Sequence, residues 1–142
     1  SSEAASLAGH LELGKLVWIW DDNRITIEGA TTLAFSEDVP ARFAACGWRV
    51  LEVADANDLE ALAAAFAAAA AADGRPTLVR VRSHIAWGAP TKQDTADAHG
   101  APLGADEVKG AKRAYGWPED ASFRVPPEVI ERCRESAPFL GA

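Results

Sequence analysis

Leu16-Val17-Trp18-Ile19-Trp20, followed at once by Asp21-Asp22-Asn23, is the stretch whose reading decides the fold. The run is apolar at every position, so it leaves no polar face for water, which is the pattern of a central parallel strand covered by helices on both sides. The polar switch at Asp21 puts Asn23 just beyond the strand's carboxyl end, where open α/β sheets form their ligand crevices. Upstream, residues 3–13 carry Ala4, Leu7, Ala8 and Leu11 at helical spacing, with Gly14 as a stop. Downstream, residues 24–28 read as a short extended stretch, and Asp38 caps a helix through Ala45 that Gly47 ends. A second strand is expected over residues 48–53. Asp58 then precedes an alanine-rich helix over 59–72 whose larger ridge is Leu59, Leu62 and Phe66. Asp73-Gly74-Arg75-Pro76 turns the chain into a third strand over 77–83. Strand, helix, strand, helix, strand predicts an α/β layer with right-handed crossovers. A long loop over 84–104 is suited to binding a ligand or packing on another segment. Helices over 106–115 and 128–134 close the chain, the latter opened by Pro126-Pro127 and followed by a tail.

Composition removes several function classes. The 142 residues carry a net charge of −7 with no long basic run, which argues against a nucleic-acid backbone as partner. The longest apolar tract, residues 61–72, is shorter than the roughly 20 residues a membrane helix needs. Cys46 and Cys133 lie far apart without metal-ligand spacing and read as reduced thiols of a cytoplasmic protein, a long-loop disulfide being the alternative. The first residues have neither an initiator methionine nor the apolar core of a signal peptide, and the chain has no Met at all, so a fragment is one expectation. His10, His84 and His99 lack the compact ligand pairs of a zinc site. Adjacent Asp21 and Asp22 point in different directions on an extended segment, which disfavours an acid–base dyad; one of them is expected to order the Asn23 loop or a neighbouring helix end. Asp-Asp-Asn is also ordinary turn chemistry, so the residues by themselves fit a structural turn as well as a ligand site.

Trp20-Asp21-Asp22-Asn23-Arg24-Ile25-Thr26-Ile27-Glu28-Gly29 resembles the end of the thiamine diphosphate and metal motif of transketolase. The match continues in order through residues 3–11, Phe35-Ser36-Glu37-Asp38-Val39, Gly47-Trp48-Arg49-Val50 and His99-Gly100-Ala101-Pro102-Leu103-Gly104-Ala105-Asp106-Glu107-Val108, so it covers nearly the whole chain. The fold it implies is a partial thiamine diphosphate-binding α/β fold, a parallel sheet flanked by helices. The activity it implies is transfer of a two-carbon ketol group between a ketose phosphate and an aldose phosphate, with thiamine diphosphate as the electron sink.

Carried over residue by residue, the resemblance implies that Asn23 ligates the diphosphate-bound metal through its side chain and Ile25 through its main-chain carbonyl. Oxygen ligands of this kind suit Mg2+, with Ca2+ as a possible substitute. Ile27 would pack beside the cofactor rings. Ile85 would lie near the thiazolium and diphosphate, in a motif that is Ile-Gly-aromatic-Gly in the family and Ile85-Ala86-Trp87-Gly88 here. Ala86 lacks the backbone freedom of the glycine it replaces. His99 would sit beside the diphosphate and donor substrate as the catalytic imidazole, able to donate or accept near neutral pH. His10 and His84 are expected to be structural, and Lys92 is a secondary candidate for phosphate.

The resemblance also implies parts this chain does not carry: an upstream Gly-Asp-Gly metal motif and a downstream pyrimidine-binding domain. Residues 1–142 are therefore expected to be part of a diphosphate-binding domain, inactive alone. Omitted neighbours of the first strand should leave an apolar sheet edge exposed. The expected partners are the remainder of the enzyme, whether the same chain or a complementary subunit, in a homodimer acting on sugar phosphates. Competing readings are a non-catalytic binding or assembly domain on the same scaffold and part of a dihydroxyacetone synthase.

Overall fold

The computed structural model of the protein describes residues 2–71 and 73–136. Ala72, the expected end of the alanine-rich helix, and most of the expected tail lie outside the described residues. The elements run α1 Ser2–His10, β1 Val17–Asp22, α2 Val39–Ala45, β2 Arg49–Val53, α3 Leu59–Ala70, β3 Thr77–Arg82, α4 Ala105–Ala114 and α5 Pro127–Ser136. The three strands form one parallel sheet in the order β1-β3-β2, with Val17 and Arg49 both level with Thr77. Asp38 and Asp58 cap α2 and α3 as expected: each carboxylate accepts a backbone N–H three residues on, at 3.0 and 2.9 Å, a contact worth about 1 kcal/mol.

Side chains alternate across each strand, so the register sorts the core into two clusters. On one face, Trp18, Val50 and Leu78 meet Ala5 and Ala8 of α1, Val39 and Phe43 of α2, and Trp48. The rings of Trp18, Phe43 and Trp48 lie 4.9 to 5.8 Å apart, and the Trp48 indole N–H donates to the Ala5 carbonyl at 2.8 Å. On the other face, Val53, Val79 and Val81 pack against Ala61, Leu62, Ala65 and Ala69 of α3.

Two helix faces differ from the sequence reading. α1 buries Ala5 and Ala8 and leaves Leu7 and Leu11 more than half exposed. The small residues win because α1 approaches α2 closely: a Cβ at Gly9 would collide with the Cys46 carbonyl. On α3 the alanines, not the ridge, cover the sheet; Leu62 is half-buried, but Leu59 is 75 % exposed and Phe66 42 %. Residues 24–28 also form no strand; a single antiparallel bridge joins Ile25 to Ala30.

β1 is not the central strand its sequence suggests, but it is the exposed apolar edge expected where its neighbours are missing. β3, not β1, is the sheet's centre, and β1 is an edge among the described residues. Its Trp18 and Trp20 are partly buried by the α1–α2 side, whereas Val17 and Ile19 on the α3 side are exposed. α3 covers β2 and β3 and stops short of β1, so a strand with apolar residues on both faces has cover on one.

Candidate functional site

Because the sheet is parallel, all three strands end on the same side, and the loops after β1 (23–38), β2 (54–58) and β3 (83–104) leave from one edge. The first and third are tied at their roots: the Ser83 N–H donates to the Asp22 carbonyl at 3.4 Å, and the Ser83 hydroxyl meets the Asp21 carboxylate.

In the first loop the Asn23 side-chain oxygen accepts the Ile25 N–H at 2.9 Å, and its amide donates to Asp21 at 3.4 Å. Asp21 thus does the ordering expected of one of the two aspartates. Arg24 takes φ 63°, turning the chain back on itself. The bend is then closed from Thr26 N–H and Oγ to the Gly29 carbonyl at 2.7 and 2.9 Å, and from Thr31 N–H to the Arg24 carbonyl at 2.9 Å. These bonds leave the Ile25 carbonyl without a partner among the described residues. The turn uses one lone pair of the Asn23 amide oxygen and leaves the second available. Asn23 and Ile25 line one concavity of about 880 Å³ that runs along β1 beside α2, with Arg24, Arg42, Phe43 and Arg80 also in its wall. Ile27 stands at the tip of the bend, 71 % exposed, and is not part of that wall.

Beneath the bend lies a group the sequence reading missed. Asp22 is buried and ion-paired with Arg80 of β3 at 2.7 Å. Arg80 also reaches Glu52 at 3.4 Å and lies 5.5 Å over the Trp20 ring. The signal available in sequence was Arg80 and Arg82 alternating with valines in a strand flanked by apolar residues.

The third loop is tightly folded. His84 Nδ1 lies 2.8 Å from an Asp94 oxygen and its ring 5.3 Å from Trp87, in keeping with a structural role. Ile85 is half-buried, and its carbonyl accepts the Asp94 N–H at 3.1 Å. Ala86 takes φ 50°, a left-handed conformation that glycine adopts without strain. The Gly88 N–H donates to the Gln93 side chain at 2.8 Å. The loop leans on α4 through Pro90 against Gly110, the Tyr115 hydroxyl on the Trp87 carbonyl, and Thr91 on Glu107 at 2.6 Å. The Thr91 hydroxyl, ahead of the nearby backbone donors, holds the Glu107 carboxyl below its ordinary 4.5. Lys92 points to the Pro102 carbonyl at 3.4 Å. His99 follows a 3-10 turn over Ala96–Ala98, its N–H on the Ala96 carbonyl at 2.9 Å. Its exposed imidazole has no partner among the described residues.

The structure thus brings Asn23 and Ile25 together and roots the loop of Ile85 beside them. It leaves Ile27 and His99 exposed and apart from the shared concavity. Among the described residues no group of three His, Cys, Asp or Glu side chains is arranged to hold a metal.

The family described as "Transketolase, thiamine diphosphate binding domain" matches residues 1–138. The transketolase of Streptococcus pyogenes is 52 % identical over 132 residues, covering 93 % of this chain and 18 % of that protein. The transketolase of Geobacillus stearothermophilus is 48 % identical over 142 residues, covering 100 % of this chain and 21 % of that protein. The crystal structure of Pichia stipitis transketolase in complex with sedoheptulose 7-phosphate superposes with a TM-score of 0.90 at 48 % identity, over 95 % of this chain and 20 % of that one. Campylobacter jejuni transketolase gives 0.88 at 38 % identity, over 93 % and 21 %. The chain therefore spans about a fifth of the length of these relatives.

Proposed function

The chain belongs to the transketolase family, within its thiamine diphosphate binding domain, and on that premise we propose that it is part of an enzyme transferring a two-carbon ketol group from a ketose phosphate to an aldose phosphate. The observation that carries the reading is the bend after β1, where the Asn23 side chain is ordered from both sides and the Ile25 carbonyl is left open. Both donors are hard oxygens, and they fit Mg2+, or Ca2+ in its place, better than a metal that prefers sulfur or imidazole. A set of two is incomplete, so a metal held here would need further oxygen ligands from outside these residues.

Thiamine diphosphate, when bound, supplies the electron sink for carbon–carbon cleavage. The work of this chain's own residues is to hold and orient. Asn23 and Ile25 fix the metal end; Ile27 and Ile85 offer apolar surface to the rings. His99 bonds a substrate or diphosphate oxygen, a task its unpartnered imidazole is free to perform. The sedoheptulose 7-phosphate held by the Pichia stipitis relative supports sugar phosphates as the substrate class. Residues 1–142 then form part of the diphosphate-binding domain, and the rest of the enzyme completes the site in a cytoplasmic homodimer. The open Ile25 carbonyl at a matching metal bend favours this reading over a non-catalytic scaffold.

The test is Asn23→Ala in the full-length enzyme, with bound thiamine diphosphate measured by equilibrium dialysis across a Mg2+ series. We expect retention to weaken about 10-fold or more, the scale on which metal-site contacts act. Unchanged retention would remove Asn23 from the ligand set. The 142-residue chain alone should show no ketol transfer.

A further inference from the structure

We propose that Arg80 is a positioning residue for the Asn23 and Ile25 oxygens, acting through the buried carboxylate of Asp22; this rests on the reading of their loop as the cation-binding bend. Asp22 is the last residue of β1 and immediately precedes Asn23. At 7 % exposure its carboxylate is out of water, where a charge without a partner is strongly disfavoured. Arg80 on the neighbouring strand supplies the partner: Nε at 2.9 Å and Nη2 at 2.7 Å both donate to the same oxygen, Oδ2. Arg80 is itself held, by Glu52 of β2 at 3.4 Å and by the Trp20 ring at 5.5 Å. From the main-chain side, Arg82 donates to the Asp22 carbonyl at 2.6 Å and to the Ser83 carbonyl at 2.7 Å. Asp22 is thereby fixed at both side chain and backbone.

The consequence falls on the next residue. Asn23 departs from a strand end held at side chain and backbone, and its own side chain is then set by Asp21 and the Ile25 N–H. Stability alone gives no reason for the pair, because apolar residues of similar volume usually serve a buried position as well or better. Its location one residue before the oxygen donor gives one. Groups that orient metal ligands from behind typically govern affinity by 10- to 100-fold. Since both Arg80 nitrogens converge on one oxygen, the position asks for a positive charge at that point and not for a two-pronged fork.

The experiment compares Arg80→Met, Arg80→Lys and Asn23→Ala in the full-length enzyme. The readouts are the Mg2+ concentration that half-saturates thiamine diphosphate retention in equilibrium dialysis and, separately, the apo-protein melting temperature. Arg80→Met should raise the half-saturating Mg2+ about 10-fold or more, while Arg80→Lys stays within about 3-fold of wild type because an ammonium can meet the single oxygen. If Arg80→Met unfolds, Asp22→Asn with Arg80→Met removes the buried charge and carries the same expectation. Wild-type half-saturation in the Met variants, with Asn23→Ala impaired, overturns the positioning role and leaves the cation-binding reading standing. Equal loss in Met and Lys variants overturns it as well. Unimpaired Asn23→Ala overturns the reading beneath it.

Discussion

β1 and β3 are neighbours of equal length in one sheet, and their surroundings are opposite. β3 is closed on both faces, with Leu78 2 % and Val79 0 % exposed. β1 is closed on one: Trp18 and Trp20 lie within the aromatic side, while Val17 and Ile19 are 37 % and 59 % exposed. Yet β1 is the more continuously apolar of the two, and β3 carries Arg80 and Arg82 on the face it shares with Trp18. Apolar residues on both faces of a strand thus report the surroundings for which the sequence is built. Among the described residues those surroundings are only half supplied, which agrees with the proposal that the rest of the enzyme packs here.

Truncating one residue of each strand separates the two surroundings most strongly. Leu78→Ala should cost about 3 kcal/mol of unfolding free energy, by urea titration, in the 142-residue chain and in the full-length enzyme alike. Ile19→Ser should lie within about 0.5 kcal/mol of wild type in the 142-residue chain, the usual range for an exposed site, and cost about 2 kcal/mol where the strand is covered. Equal costs for Ile19→Ser in both proteins would mean that nothing covers this face.

The loops that follow the two strands extend the comparison at smaller scale. Each turns on a non-glycine residue in the left-handed region, Arg24 at φ 63° and Ala86 at φ 50°. A left-handed L-residue costs about 1 to 2 kcal/mol, and glycine returns about 0.5 to 1 of that as chain entropy. Ala86→Gly should therefore raise stability by up to about 1 kcal/mol in thermal unfolding, with no such gain expected if the loop after β3 relaxes to another conformation.

The smallest effect is a pH dependence confined to the loop after β3. The Glu107 carboxyl is held below 4.5 by the Thr91 hydroxyl. A depressed folded-state value contributes stability above the unfolded value, and that contribution is lost as pH falls through the folded one. The protection factor of the Thr91 amide, which donates to Glu107 at 3.2 Å, should fall below pH 4.5 before those of β3 amides respond, once the intrinsic slowing of exchange with acid is divided out. Simultaneous release of both would reject a local effect.

Much of this was legible in the sequence because the deciding signals are local. Asp38 and Asp58 are caps by side-chain chemistry, and Gly47 ends α2 with φ 85°. The α/β alternation follows from period and turns. What was not legible depends on how closely helices approach. Small residues on α1 and α3 permit contact that leaves leucines outside, and no periodicity rule ranks Ala8 above Leu7. At the site, the Asn23 turn is local and was readable, down to an aspartate that orders it. The Asp22–Arg80 pair spans two strands and 58 positions, so only the register could reveal it.

The open side of β1 has one more effect. Beyond β3 it pairs with nothing among the described residues, so a row of backbone N–H and C=O groups borders a stretch reading Val17-Trp18-Ile19-Trp20 with no charge before Asp21. Such a row is a template for any extended segment that meets it, including the same strand of another copy. Isolated at high concentration, the chain should add copies edge to edge and come out of solution, so its solubility is set by how well a single strand is kept company.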